Sequence, residues 1–435
     1  MDIIELYQEF LLSDGICIDS RKLKHNQIFI ALPGSKVNGH EYALAAILSG
    51  ARLALVEDKQ LTTLDKRCIY THSTIIILQS LAKHHRAQLK IPIIGITGSV
   101  GKTTTKELVS KVLASKYNVT STQGNLNNHI GVPLSILSIN EKTEMAMIEM
   151  GANHIGEIAE LCDIAQPTHG LITRIGKAHL EGFGNLDGVI KAKSELYQYL
   201  TDHQGTAFVN DEDELLMQVI AAFEMNKICI HQKIKGTILS SDPFLRLNIE
   251  IEGKSLLLNM NLPGKYNFDN ILMAIAVGHY FNIDPDKIKS SLESYIQGAN
   301  RSQHIHHSTN EYILDAYNAN PLSMSEAIKS FQAWNTNKKK ILILGEMKEL
   351  GESREPEHQK IIDLINQFHW DRICLVGPSF NALGKDKDHL YFNDVQALKL
   401  WYNNNTFNDT VFLIKGSRSL TLEKMMDHLI PDSAH

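Results

Sequence analysis

At 435 residues the chain is longer than one hydrophobic core ordinarily serves, which predicts two to four domains, with 43% apolar residues to fill them. Its 43 basic and 49 acidic residues leave a formal charge of -6 with no Lys/Arg-rich block, so no nucleic-acid partner is expected. The cysteines Cys17, Cys68, Cys162, Cys229 and Cys374 form no CxxC pair, which argues against a disulfide framework or zinc knuckle and fits a reducing, cytoplasmic setting. The N-terminal MDIIELYQEFLL lacks a basic n-region and no apolar run approaches the roughly 18 residues of a membrane span, so no stable membrane association is expected.

In chain order, residues 1–90 read as a small α/β unit with two short strands, Gln27 to Leu32 among them, a helix over Glu41 to Leu48 and a polar helix over Leu81 to Leu89. From 91 to 298 strands and helices alternate. Strands are expected at Ile93 to Thr97, Met145 to Glu149 and Gly170 to Arg174, and helices after the first of these, through Ile158 and Leu161, and from Asp187 to Leu200. Such alternation predicts a parallel sheet with its ligand at the carboxyl edge. Between Lys227 and Met260 the runs KICIH, LRLNIEI and SLLLNMN predict an antiparallel appendage, and ILMAIAVGHYF after Asn270 predicts a buried helix. From 299 to 435 a third, Rossmann-like α/β alternation follows, with strands at Tyr312 to Ala316, Lys340 to Leu344, Ile373 to Val376 and Val411 to Ile414. The expectation is therefore an α/β protein of three domains, 1–90, 91–298 and 299–435.

The segment Pro92 to Thr105, PIIGITGSVGKTTT, is an apolar strand breaking into a glycine-punctuated loop that opens a helix. Gly98 and Gly101 let the backbone of Gly98, Ser99, Val100 and Gly101 turn N–H groups toward an anion; Lys102 can reach terminal phosphates, and the Thr103 hydroxyl, followed by Thr104, is placed for Mg²⁺. This predicts a site for ATP or another nucleoside triphosphate. Ile96 stands where the first glycine of the general G-x-x-x-x-G-K-[ST] pattern would be, which points to a subset of triphosphate users.

Other residues take their meaning from position. Glu149 ends a strand at the same carboxyl edge, where it could hold Mg²⁺ or simply face solvent. His179 lies on a further loop at that edge, although a lone histidine is more often structural. On the helix from Asp187, Lys193 falls at the centre of the apolar arc made by Val189, Ala192, Leu196, Tyr197 and Leu200. A lysine so placed either snorkels to water, the commoner outcome, or stays buried with a lowered pKa; a neutral amine can then add CO₂ and become an anionic carbamate. The loop GNLNNHIG puts Asn125, Asn127 and Asn128 where they can bond a polar ligand, and turn chemistry alone could also explain them. Asp315, Asn318 and Asn320 follow one C-terminal strand and Lys415, Ser417 and Arg418 follow another, polar strand ends suited to a ribose and a carboxylate or phosphate. The HIHH cluster, His304, His306 and His307, reads as an exposed hairpin edge rather than a metal site.

With these residues in view, the chain resembles the Mur ligase family, ATP-dependent amide-bond formers of peptidoglycan synthesis. TGSVGKTTTKE, GNLNNHIGVP, EMGANHIGEIA, AHLEGFG, KAKSELY, YNANPLSM, LGEMKELG and KGSRS are similar, in order, to that family's motifs, nearly end to end. The resemblance implies Lys102 and Thr103 on ATP phosphates and metal, Glu149 and His179 as ligands of Mg²⁺, two ions in all, and Lys193 as a carbamylated lysine. It implies Asn270 near the adenine and Arg301 and Asp315 brought in by the third domain on closure. The N-terminal DSRKLKHNQIFIALPGSKVNGHEYALAAILSGA resembles the domain that holds the UDP-sugar, with Ser20 and Arg21 in the nucleotide loop and Gly39 and His40 intact, while Asn38 replaces the usual Asp. No Asp-Asn-Pro triplet follows in the last domain, which favours the branch that adds D-alanyl-D-alanine to a UDP-N-acetylmuramoyl-tripeptide, acting as a monomer. Its rivals are a folylpolyglutamate synthase, which would lack the long segment before the phosphate loop, and a P-loop switch, which would not need two further domains.

Overall fold

A computed structural model describes residues 1–34, 37–298, 300–384 and 386–426. It contains four sheets. The first is parallel, with strands Ile16–Cys17, Ile28–Ile30, Leu53–Val56 and Cys68–Tyr70 in that spatial order. Four strands thus replace the two expected of this region: Ile16–Cys17 and Cys68–Tyr70 span two or three residues, too short for an alternation to register. The polar helix expected at Leu81 is the second half of Thr74–Gln88, started two turns earlier by the Ser73 cap. The expected Glu41 helix begins as a tight turn, Gly39–Tyr42, before Ala43–Leu48.

The second sheet is parallel and has the spatial order Asn226–Cys229, Thr206–Val209, His169–Ile172, Ile93–Thr97, Met145–Glu149, Val119–Ser121. Ile93–Thr97 is buried throughout, as a strand covered on both faces must be. Ile93 packs with Ala146 and Ile148 in one core, and Ile94 and Ile96 pack with Met145 and Met147 in another. The second core is closed by the helices Lys102–Leu113 and Phe268–Tyr280, which approach so closely that a Cβ on Gly278 would lie 2.5 Å from Val112. KICIH, expected in the antiparallel appendage, instead contributes the edge of this parallel sheet, because Asn226–Cys229 pairs with Thr206–Val209. The appendage itself is Ile234–Ser240, Phe244–Ile251 and Lys254–Pro263, antiparallel, with alternate residues Leu245, Leu247, Ile249 and Ile251 buried.

The fourth sheet runs Gln303–His307, Asn310–Asp315, Thr410–Lys415, Lys339–Gly345, Arg372–Val376, His389–Phe392. Only its first pair is antiparallel, a hairpin that places the HIHH segment on the sheet edge. The terminal residues 427–435 and the expected domain boundary at 299 lie outside the described residues.

Candidate active site

The strand Ile93–Thr97 lies between His169–Ile172 and Met145–Glu149, so its carboxyl end is the point at which the sheet order reverses. Open α/β sheets bind ligands at that point. The loop emerging there turns at Gly98 (φ 145°) and Gly101 (φ 82°) and hands over to the helix Lys102–Leu113. Gly101 admits no side chain: beyond its left-handed φ, an added Cβ would meet the Asn270 Oδ1 at 2.8 Å.

Glu149 pairs with Ile96 across the sheet, and this register sets its carboxylate beside the loop. The carboxylate is 2% exposed; it accepts from Thr103 Oγ1 and Asn127 Nδ2, both at 2.9 Å, and Lys106 Nζ stands 3.7 Å away. Lys102 Nζ donates to Gly98 O at 2.6 Å. Burial pulls its pKa below the ordinary lysine range, against the opposing pull of Glu149.

The opposite wall comes from the C-terminal domain. Asp315 and Lys415 are register partners on adjacent strands, and Lys415 Nζ donates to Asp315 Oδ2 at 2.6 Å and to Asn318 O at 3.1 Å. Arg301 lies over the Tyr317 ring, 3.5 Å from its centroid. Asn320 caps the helix Pro321–Ala333, and its amide reaches Ser99 O in the phosphate loop at 3.4 Å. Between the walls is a cleft of about 510 Å³ lined by residues of both domains.

The cleft gathers Ser99, Val100, Gly101, Lys102, Thr103, Thr104, Asn127, Asn128, Glu149, His179, Asn270, Arg301, Asp315, Asn318, Asn320 and Lys415, which the sequence spreads over more than three hundred positions. Asn270 sits on the loop side, accepting from Thr105 Oγ1 at 3.0 Å. Gly98 contributes its carbonyl behind the lining. Asn125, Ser417 and Arg418 stand outside it: Ser417 Oγ accepts from Lys348 N at 3.0 Å, and Arg418 pairs with Glu423. Ser20, Arg21, Gly39 and His40 belong to the first sheet's loops, away from this cleft. There Arg21 pairs with Asp19 at 2.8 Å, and His40 Nε2 accepts from Glu57 N at 2.9 Å.

Lys193 does not snorkel. It is 1% exposed, with Nζ 3.4 Å from Ala152 O and 5.2 Å from the Phe183 ring centroid, just behind the lining residue Ala152. Burial first, and then the neighbouring Lys102, lower its pKa to about 7, with Glu195 and Glu157 opposing.

Sequence reasoning missed Lys106, Tyr266, Gln297 and Tyr317. Gln297 donates to Thr104 Oγ1 at 3.2 Å and the Tyr266 hydroxyl bonds Ser302 at 2.7 Å, contacts made by loops whose course no periodicity reports. Lys106 did leave a signal, four residues after Lys102 on one helix face.

Family models match almost the whole chain: the Mur ligase family catalytic domain over residues 13–95, the Mur ligase middle domain over 96–278 and the Mur ligase glutamate ligase domain over 300–418. The chain belongs to the Mur ligase family. It is 32% identical to the UDP-N-acetylmuramoyl-tripeptide–D-alanyl-D-alanine ligase of Bacillus subtilis over 96% of its own length and 93% of that protein's. Against the ligase of the same name from Haemophilus influenzae it is 33% identical over 95% and 93%. A crystal structure of MurF from Acinetobacter baumannii superposes with a TM-score of 0.86 at 28% identity, covering 97% of this chain and 98% of that one.

Proposed function

We propose that this chain joins D-alanyl-D-alanine to the terminal carboxylate of a UDP-N-acetylmuramoyl-tripeptide, driven by ATP, the last cytoplasmic peptide-building step of peptidoglycan precursor synthesis. The observation that carries the reading is the cleft itself, in which a phosphate loop on one domain faces Asp315, Asn318, Asn320 and Lys415 on another. Two substrates and a nucleotide need such a convergence; a nucleotide switch does not.

In this reading a carboxylate oxygen of the tripeptide attacks the γ-phosphorus of ATP, releasing ADP and leaving an acyl phosphate. The dipeptide amine then attacks the acyl carbon, phosphate departs with the bridging oxygen, and the amine sheds a proton. Lys102, fixed on Gly98 O, offsets charge on the transferring phosphoryl, and the loop N–H groups hold its oxygens. Asn270 faces the base, and Arg301 and Asp315 face the remainder of the nucleotide. Asn127, Asn128, Asn318, Asn320 and Lys415 orient the carboxylate and the amine. Ser20, Arg21, Gly39 and His40 take the UDP end of the substrate, and Asn125, Ser417 and Arg418 support loops at the cleft rim. Docking of the C-terminal domain excludes water that would hydrolyse the acyl phosphate.

The residues fit Mg²⁺. Thr103 and Glu149 offer hard oxygen donors in contact with each other, and among the described residues no three His, Cys, Asp or Glu side chains gather as a complete cage. Thr103, Glu149, His179 and Lys193 as its carbamate are the residues that would hold the metal, two ions as the family resemblance implies; the metal would supply charge neutralisation on the phosphates. Lys193 supports the carbamate by being buried with its pKa lowered to about 7, so that a sizeable share of the amine is neutral near pH 7 and its nitrogen can bond CO₂ and lose a proton. We take the enzyme to act as a cytoplasmic monomer; no helix among the described residues is long and apolar enough to cross a membrane.

The test is phosphate release with each component withheld in turn. Release should need ATP, the UDP-linked tripeptide and the dipeptide together; turnover with a folate and glutamate instead would overturn the assignment.

A further inference from the structure

The loop between the strand Lys339–Gly345 and the helix Arg354–Ile365 is tied down from several sides. Glu346, 1% exposed, accepts from Ser379 N at 3.1 Å and from the Ser379 hydroxyl, and pairs with Lys348. Met347 N donates to His358 Nε2 at 2.9 Å, Lys348 N donates to Ser417 Oγ at 3.0 Å, and Met347 and Leu350 are buried. Two residues of this stretch face the central domain: Gly351, whose added Cβ would meet Glu181 Cα at 3.3 Å, and Glu349, at a left-handed φ of 62°. The Glu349 carboxylate pairs with His179 Nδ1 and its carbonyl accepts from Glu181 N at 3.1 Å. His179 is itself left-handed, at φ 50°, and its carbonyl accepts from Gly182 N and Phe183 N at 3.0 and 3.1 Å. Two non-glycine residues held in a sparsely populated conformation thus meet across the domain boundary, an arrangement that persists only where the surroundings over-determine it.

The geometry points to Glu349 as a positioning residue that the C-terminal domain supplies to His179. A carboxylate close beside Nδ1 favours the ring proton on that nitrogen and so leaves the lone pair on Nε2, in a residue that lines the cleft. Because the carboxylate and the imidazole belong to different domains, the histidine is oriented for work only while the domains are docked. The reaction is thereby coupled to closure through a residue that touches neither substrate. The inference rests on the reading of His179 as a metal ligand.

The experiment uses the full chain carrying ¹⁵N-histidine, with ADP and Mg²⁺, and takes the His179 signals as those lost in His179→Gln. In the wild type, and in Glu349→Gln, whose amide oxygen can still accept from Nδ1–H, the ring should show the Nδ1–H tautomer. In Glu349→Ala it should show a tautomer mixture. Turnover should fall about 10- to 100-fold in Glu349→Ala and only a few-fold in Glu349→Gln, with the KM for the tripeptide little changed in both. A wild-type tautomer or a wild-type kcat in Glu349→Ala overturns the inference. A fully active His179→Ala would instead overturn the ligand reading beneath it, so the two failures are told apart.

Discussion

Lys193 and Lys102 are both lysines whose surroundings lower their pKa, and their consequences differ. Burial, and then the neighbouring Lys102, lower the pKa of Lys193 to about 7 in the folded chain, against an ordinary value of 10.5. Between those values the unfolded chain binds the proton and the folded chain does not, so this residue makes stability rise with pH across that window and costs stability as pH falls toward 7. Replacing it with Met should flatten the rise in melting temperature between about pH 7 and 10; an unchanged slope would contradict the burial. If the carbamate forms, Lys193→Ala should fold yet be nearly inactive. Acetate or another short carboxylic acid in the millimolar range should restore part of its turnover, whereas bicarbonate should not, since no amine remains to react. Lys102→Ala should lose activity by orders of magnitude with little change in melting temperature, because its one fixed contact is to a loop carbonyl; near wild-type turnover would refute its role. From the sequence, the apolar arc located Lys193 on the buried face, but periodicity does not say whether a long side chain bends back to water. That depended on Ala152, on a loop, and Phe183, at the end of the short helix Leu180–Phe183, which close over it.

Among the elements, the phosphate loop and its helix show the tightest tolerance. Gly101→Ala would force a Cβ into a left-handed residue and against Asn270 Oδ1. We expect nucleotide affinity to fall at least 10-fold and stability by about 1–2 kcal/mol, read by calorimetric titration with ADP and by denaturant melts. An alanine variant that binds ADP normally would show that the turn is not what shapes the cradle. The long elements were legible because a fully apolar strand or a clean 3.6-residue stripe reports burial directly, as at Ile93–Thr97, Met145–Glu149 and Leu186–Asp202. Short ones were not. Cys68–Tyr70 offers three residues to a period of two, and Asn226–Cys229, with two exposed residues, reads like its antiparallel neighbours although it joins a parallel sheet. Only the distant partner Thr206–Val209 decides that, and pairing of that kind leaves no local mark.

At the scale of the whole molecule, the cleft exists because two domains are held face to face. Beside His179 and Glu349, Glu357 of the C-terminal domain, 4% exposed, takes Lys177 of the central domain and its own neighbour Lys360, each at 2.8 Å. Its pKa stays below the usual carboxylate range: the two lysines outweigh the desolvation that would raise it. Both lysines reach water, so removing Glu357 strands no buried charge and instead takes away a tie between the two domains. Glu357→Ala should therefore loosen docking, increasing the radius of gyration in small-angle scattering with ADP bound and lowering kcat while each domain stays folded; scattering identical to wild type would remove this pair from the account. In the proposed reaction one oxygen passes directly from the substrate carboxylate to phosphate, and isotopic labelling reads that passage. With both oxygens of the tripeptide's terminal carboxylate labelled with ¹⁸O, and with ATP and D-alanyl-D-alanine present, each phosphate released should carry a single ¹⁸O while the new amide carbonyl keeps the other. Phosphate free of label would contradict the acyl phosphate and the reading of the cleft built on it.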